Sequence, residues 1–203
     1  VAEILFALDG NTDKTQFAGL SIVDNPDRVR HGFGKTCNRA ARLSRGKYLL
    51  FLNDDCYLDE WAVFNMLKCF QDPKVAVVGC KTRYPDGKLY FAGSHRPKGA
   101  INYGHIQDHR YTSPVEQEFV NFAAAIVRRD VFFSVGGFDE RYDCYAEDAD
   151  LCLRVRKAGW KVMFTPDATG IHDESRTTSP TKTAMLNKAN ELFDKRWREH
   201  QLA

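Results

Sequence analysis

An amide and two carboxylates, Asn53, Asp54 and Asp55, stand at the abrupt end of the apolar run Leu49-Leu50-Phe51-Leu52. Adjacent carboxylates repel each other and gain nothing from burial, so they either face solvent or hold a divalent cation. Hard oxygen ligands of this kind suit Mg²⁺ or Mn²⁺ carrying a phosphate ester. The carboxyl edge of an open α/β sheet is also where ligands bind. Taken alone, these residues slightly favour a solvated turn, because Asn-Asp-Asp is ordinary turn chemistry. Two further sites recur in the same setting. Glu147 and Asp148 open a helical pattern after Gly136-Gly137-Phe138-Asp139-Glu140, and His172 follows the last strand pattern. Each has a plain account of its own: acidic residues in a first turn complement the helix dipole, and a lone histidine after a strand is common.

The elements that would position these groups follow from periodicity. Short apolar runs predict strands at 3–8, 20–23, 48–52, 75–79, 119–128 and 160–164. Helical spacing predicts helices at 35–44, 59–70, 129–135, 146–158 and 185–200, with Gly159 stopping the fourth. Strands alternating with helices imply an α/β fold, a mostly parallel central sheet covered on both faces. Gly32-Phe33-Gly34 opens the first helix and either presents free N–H groups to an anion or is a plain turn into a core helix. The stretch 81–118 has no clean period and is rich in Gly, Pro, Tyr, His and Arg. Its aromatics and histidines at 103–111 fit a sugar pocket and a solvated loop equally well. Phe138 and Trp160 read as core rather than as a sugar platform. The last helix carries Lys188, Lys195, Arg196 and Arg198, which would face a membrane, a following domain or water, a solvated face being the commonest case.

Composition bounds the rest. The 203 residues are 43% hydrophobic and 28% charged, an ordinary soluble globular balance. A net charge of +2, from 29 Lys+Arg against 27 Asp+Glu, gives no case for a nucleic-acid partner. No apolar run approaches a membrane span, and the short apolar start lacks the basic flank of a signal peptide. A soluble, cytoplasmic protein, at most peripheral to a membrane, is the expectation. The six cysteines (37, 56, 69, 80, 144 and 152) form no C-x-x-C pair. They read as free thiols of a reducing compartment. Neither a repeat nor a linker divides the chain, so one domain is expected.

Joined in order and spacing, these segments resemble family 2 glycosyltransferases of the GT-A fold. The resemblance runs through Leu8-Asp9-Gly10-Asn11-Thr12-Asp13, Gly32-Phe33-Gly34 with Cys37-Asn38, 48–55, Pro85-Asp86-Gly87 and Val127-Arg128-Arg129-Asp130. Its most specific part is Gly136-Gly137-Phe138-Asp139-Glu140 leading to Glu147-Asp148-Ala149-Asp150-Leu151-Cys152-Leu153-Arg154 and Ala158-Gly159-Trp160. The compactness is similar to that of small viral members of the fold.

The resemblance implies a division into a nucleotide-binding half (1–80), an acceptor and catalytic half (81–175) and a C-terminal helix (180–203). It implies an inverting, metal-assisted transfer of a hexose from a nucleotide sugar to a hydroxyl of a glycan or glycoconjugate. A UDP-sugar comes first among donors, and a dTDP-sugar fits as well. Asp148 matches the general base and Glu147 its supporting neighbour. Asp9 matches the residue that hydrogen-bonds the nucleotide base, and Asn38, Asn53 and Asp54 fall on the donor side. Asp55 and His172 match ligands of Mn²⁺ or Mg²⁺. Two departures stand out. Position 53 is Asn where Asp is commoner, so the site has one negative charge fewer. Val1 falls at what resembles the family's second strand, so the chain reads as one domain of a larger protein, a trimmed one, or a reduced version. The rival readings are a sugar nucleotidyltransferase, whose Gly-rich basic signature is absent from these residues, and a non-catalytic nucleotide-sugar or glycan-binding module.

Overall fold

Val75–Arg83 is the most deeply buried strand, with its first six residues closed to solvent, and the rest of the fold is arranged around it. A computed structural model describes residues 3–10, 19–25, 27, 29–95, 104–105, 111–173 and 180–197. In chain order these form β1 (Phe6–Ala7), β2 (Ile22–Val23), α1 (Phe33–Leu43), β3 (Tyr48–Leu52) and β4 (Cys56–Leu58). Next come α2 (Ala62–Lys68), extended by a tighter turn at Cys69–Gln71, and β5 (Val75–Arg83). β6 (Leu89–Phe91), β7 (Ser94–His95), β8 (Gly104–His105), β9 (Val115–Glu116) and β10 (Ala124–Arg128) follow. The chain then forms α3 (Arg129–Ser134), α4 (Glu147–Lys157), β11 (Lys161–His172) and α5 (Pro180–Trp197).

The central sheet has the order β3-β10-β5-β11-β4, with β6 against β5 and β9 against β11. β1 and β2 form a separate parallel pair. This is an α/β architecture, a central sheet flanked by helices, but the sheet is mixed rather than mostly parallel. β10 runs antiparallel to both of its neighbours, so β3, β5 and β11 share one direction with β10 reversed between the first two. The reason lies in the excursion after β5. It brings the chain back to the end of the sheet it left, so β10 has to run the other way.

Several element bounds also differ from those that periodicity predicts. β11 continues past Pro166 to His172, with its register against β5 shifting between Thr165 and Thr169. An irregularity of this kind lets a strand carry proline. Within 81–118, β7 to β9 are short pieces that periodicity cannot register. Most of the aromatic and histidine stretch at 103–111 lies outside the described residues; Tyr111 packs its ring 5.9 Å from that of Phe164.

The two faces of the sheet bury different cores. On one face Met66 and Phe70 of the α2 segment meet Val78, Ala124 and Ile126. On the other, Phe51, Phe122, Phe132 and Phe138 form a knot with ring centroids 5.2 to 5.7 Å apart. Edge-to-face and tilted pairs of this sort add about 0.5–1.5 kcal/mol each beyond buried area. Leu151 and Val155 of α4 and Ala189, Phe193 and Trp197 of α5 belong to the same core. The expected placing of Phe138 in the core holds, at 1% exposure. All six cysteines are free, with Cys56, Cys80 and Cys152 buried. No helix among the described residues is long and apolar enough to cross a membrane.

Gly79, in the middle of β5, leaves room for the segment that enters β10. A Cβ added there would lie 2.5 Å from the Cβ of Val120. Val120 is itself fully buried and cannot swing aside. Gly79→Ala is therefore expected to lower unfolding stability by about 1–3 kcal/mol in chemical denaturation, since overpacking a closed core costs this much.

Candidate functional site

The segment 119–123 is where the sheet end and α4 meet. Asn53 donates its backbone N–H to Ala123 O at 2.9 Å, which pins the turn after β3. One residue earlier, the Phe122 backbone N–H is near enough to the Asp148 carboxylate to favour its ionised form. The Asn53-Asp54-Asp55 turn and Asp148 thus both lie against adjacent peptides of one strand entry. β11 closes the other side: Asp173 N donates to Asp55 O at 2.9 Å, and His172 pairs in register with Cys56.

That register brings the two residues expected to hold a metal together. His172 Nε2 lies 3.2 Å from Asp55 Oδ1. The His172 ring is buried, with an edge-to-face Tyr90 ring at 4.8 Å. Asp55 Oδ1 is closed to solvent, and no hydrogen bond reaches it. An unbonded carboxylate oxygen facing an imidazole nitrogen fits a shared divalent cation. Among the described residues no group of three or more His, Cys, Asp or Glu could hold a metal. Such a cation would take its remaining ligands from a bound diphosphate and water, which is ordinary for Mg²⁺ and Mn²⁺. Asn53 is half-buried beside this pair, and Asp54 is exposed.

Glu147 and Asp148 form the first turn of α4, after two non-glycine residues in the left-handed region, Tyr145 (φ 72°) and Ala146 (φ 63°). Each such residue costs about 1–3 kcal/mol and persists only where its surroundings hold it. Periodicity carried no sign of this step. Burial pushes the Glu147 carboxyl up to about 8, with the neighbouring Asp148 charge adding to the rise. Burial also pushes Asp148 up, to about 6, against the N–H groups of Ala149 and Phe122, which favour its ionised form. Asp148 keeps some solvent contact, whereas Glu147 is buried with Oε2 reached by no hydrogen bond. The two carboxyls therefore differ in setting: Asp148 has N–H donors and some solvent, Glu147 has neither for Oε2, and a proton shared by the pair is favoured on Glu147.

Two residues expected on the donor side are placed differently. Asn38 is 4% exposed, and its amide faces inward: Nδ2 donates to Phe138 O and Glu140 Oε1, while Oδ1 accepts from Phe138 N. It ties α1 to the loop before α4 and has no group left for a nucleotide. Its place on the inner face of α1 decides this, and a sequence motif cannot report it. Asp9 accepts from the backbone N–H of His31 at 2.6 Å and of Gly32 at 2.9 Å. Its carboxylate thus fixes the loop just before α1, and no side chain caps that helix. Gly32 is needed there. Its φ is 84°, and an added Cβ would fall 2.0 Å from Asp143 O, so the loop before α1 touches the loop before α4.

The pattern of a family described as "Glycosyltransferase like family 2" matches residues 16–198. "O-antigen biosynthesis protein RfbC" of Myxococcus xanthus is 32% identical over 195 residues, covering 85% of this chain and 15% of that protein. "Rhamnosyltransferase WbbL" of Escherichia coli K12 is 45% identical over 174 residues, covering 77% of this chain and 65% of the relative. The chain spans a fifth or less of the length of the first curated relatives it matches. Among solved structures, GalNAc-T7 with UDP, GalNAc and Mn²⁺ superposes with a TM-score of 0.65 at 12% identity, over 90% of this chain and 37% of the other.

The raised Glu147 carboxyl has a consequence for stability. The unfolded chain releases that proton near 4.5, whereas the native state holds it up to about 8. Between those values the native state binds more protons, so this group's contribution is full at low pH and is lost as pH rises. Denaturation of wild type and Glu147→Gln across that window is expected to show wild type losing stability with rising pH relative to the variant. Parallel curves would contradict the assignment.

Proposed function

The chain belongs to glycosyltransferase family 2, and from that premise we propose that it moves a hexose, rhamnose first among candidates, from a nucleoside diphosphate to a hydroxyl of a glycan or glycoconjugate, with inversion. The observation that supports this reading most is the pairing of Asp55 with His172 in a turn that is pinned at Asn53 to the entry of β10, near which Asp148 also lies. Rhamnose is taken from the likeness to the WbbL rhamnosyltransferase, and a dTDP- or UDP-linked donor from the family resemblance of the sequence.

Asp148 is the general base. Its ionised carboxylate, held by the Ala149 N–H and favoured by that of Phe122, takes the proton of the acceptor hydroxyl as that oxygen bonds to the anomeric carbon. The bond from the anomeric carbon to the diphosphate breaks on the opposite side, and the nucleoside diphosphate leaves with the electron pair. Glu147, neutral and buried behind Asp148, keeps the net charge of the pair at one and so leaves Asp148 basic near neutral pH. Asn53 and Asp54 face the donor's ribose and diphosphate. Asp55 and His172 would hold a divalent cation, which supplies charge neutralisation on the departing diphosphate when bound. Asp9 contributes by fixing the loop at 30–32. A cytoplasmic place of action accords with six unpaired thiols.

The test is release of nucleoside diphosphate from dTDP-rhamnose and a panel of UDP-sugars, with Mn²⁺ or Mg²⁺ and a glycan acceptor mixture. Asp148→Asn is expected to lower turnover by about 10²–10⁴-fold with little change in donor binding, as loss of a general base does. Asp55→Ala should abolish the response to metal. Donor binding without turnover in the wild type, unchanged by Asp148→Asn, would favour a binding module instead.

A further inference from the structure

α5 meets the loop before α4 at three places that flank the left-handed step at Tyr145 and Ala146. Lys188 Nζ donates to Asp143 Oδ2 at 2.6 Å. Arg196 Nη1 donates to Asp139 Oδ2. Past the step, the Asp150 carboxylate is entirely closed to solvent, and α5 supplies two of its partners. Trp197 Nε1 donates to Oδ1 at 2.9 Å, and Arg196 Nε lies 3.2 Å from the same oxygen. Arg154, one turn along α4, donates from Nε to Oδ2 at 2.8 Å and from Nη1 to Val135 O at 2.6 Å. Asp150 in turn donates its N–H to Ala146 O at 2.9 Å, which ties the network to the left-handed step itself. Ala189, Phe193 and Trp197 bury the inner side of α5 in the same core as Leu151 and Val155.

A buried carboxylate needs its full set of donors, because an unpaired charge in a closed site is far more costly than a bonded one. Asp150 therefore fixes where Trp197 and Arg196 sit, and they fix where Asp150 sits. Two residues before Asp150 is Asp148. A helix start this close cannot rotate without breaking the Asp150 network, while the left-handed pair behind it would relax if released. Gly32, against Asp143 O, bounds the loop on the side of α1.

We infer that α5 is a brace for the catalytic turn: Trp197 and Arg196 are positioning residues that act through Asp150 to hold Tyr145 and Ala146 left-handed and so to aim Asp148 and Glu147. The function of Asp148 as base rests on the glycosyltransferase reading; the brace itself is a statement about the turn and is testable apart from it.

Trp197→Phe removes one N–H and keeps an aromatic ring, so it is the first variant. Amide hydrogen exchange over the peptide spanning 141–150, measured on the whole chain, is expected to speed up by about tenfold or more while exchange in β5 stays as in wild type, the pattern of a local opening. In the transfer assay the same variant should lose about ten- to a hundredfold in kcat with donor KM within about twofold, as a misaimed group does. Arg196→Ala should repeat both effects, and Arg196→Lys, which can still reach Asp139 but not in the same fork, should recover part of them. Unchanged exchange at 141–150 in both Trp197→Phe and Arg196→Ala would overturn the brace, whatever the turnover. Equal acceleration over 141–150 and β5 would overturn it as well, since α5 would then support only global stability. A wild type that transfers no sugar would count against the functional reading, and the exchange data would still decide the brace.

Discussion

The close passage of 119–123 over β5 is the contact on which the rest depends. It is possible because Gly79 has no side chain where Val120 crosses. The crossing delivers β10 between β3 and β5 in reverse direction, and its entry offers two consecutive peptides in opposite roles. Ala123 accepts from the turn after β3, and the Phe122 N–H lies near Asp148 and favours its ionised form. A carboxylate at the start of α4 and a carboxylate at the end of β3 are thereby set in one corner, though 93 residues separate Asp55 from Asp148. Side chains of the same segment, Phe122 above all, join the aromatic knot that holds α3 and α4 to the sheet.

Charge in this corner is divided between groups that face outward and groups that face inward. Asp54 is exposed, and Asp55 faces His172 across 3.2 Å. Asp150 is directed wholly inward, where three side chains from two helices approach it. Asp139 likewise is held well below the ordinary carboxylate range, at about 2, chiefly by its bonds to Arg141, with Arg196 adding to them. Two acidic residues of one motif, Asp148 and Asp150, thus carry opposite duties. One keeps an unsettled proton and solvent contact, and the other is locked as a structural anion. The difference follows from helix geometry, since residues two apart on a helix point in different directions.

Much of the molecule could be read from the chain before any coordinates. The helices and strands around 33–52, 62–83, 124–134 and 147–164 appear near their expected places, because each buries an apolar face with its own period. Gly159 ends α4, and Cys56, Cys80 and Cys152 are the buried thiols. The pairing of Asp55 with His172 was legible only through the family resemblance; nothing in the spacing of two residues 117 positions apart implies a contact. The direction of β10 was not legible at all. A buried run reads the same whether it lies parallel or antiparallel to its neighbours.

The remaining differences share one cause. Asn38 was expected to face a nucleotide, and Arg196 a membrane, a following domain or water, and both turn inward to the loop before α4. Asp9 was expected to meet a base, and its carboxylate accepts from the backbone of His31 and Gly32. A polar side chain has the same local signature whether its partner is water, a ligand or a backbone group 100 residues away. The sequence by itself determined most element types, the core residues and the carboxyl pair at a helix start, because these are local in spacing. Only the tertiary structure decided which polar groups are free for chemistry and which are consumed in holding the chain. That depends on long-range pairing, which closure of the core brings about and no short window of sequence contains.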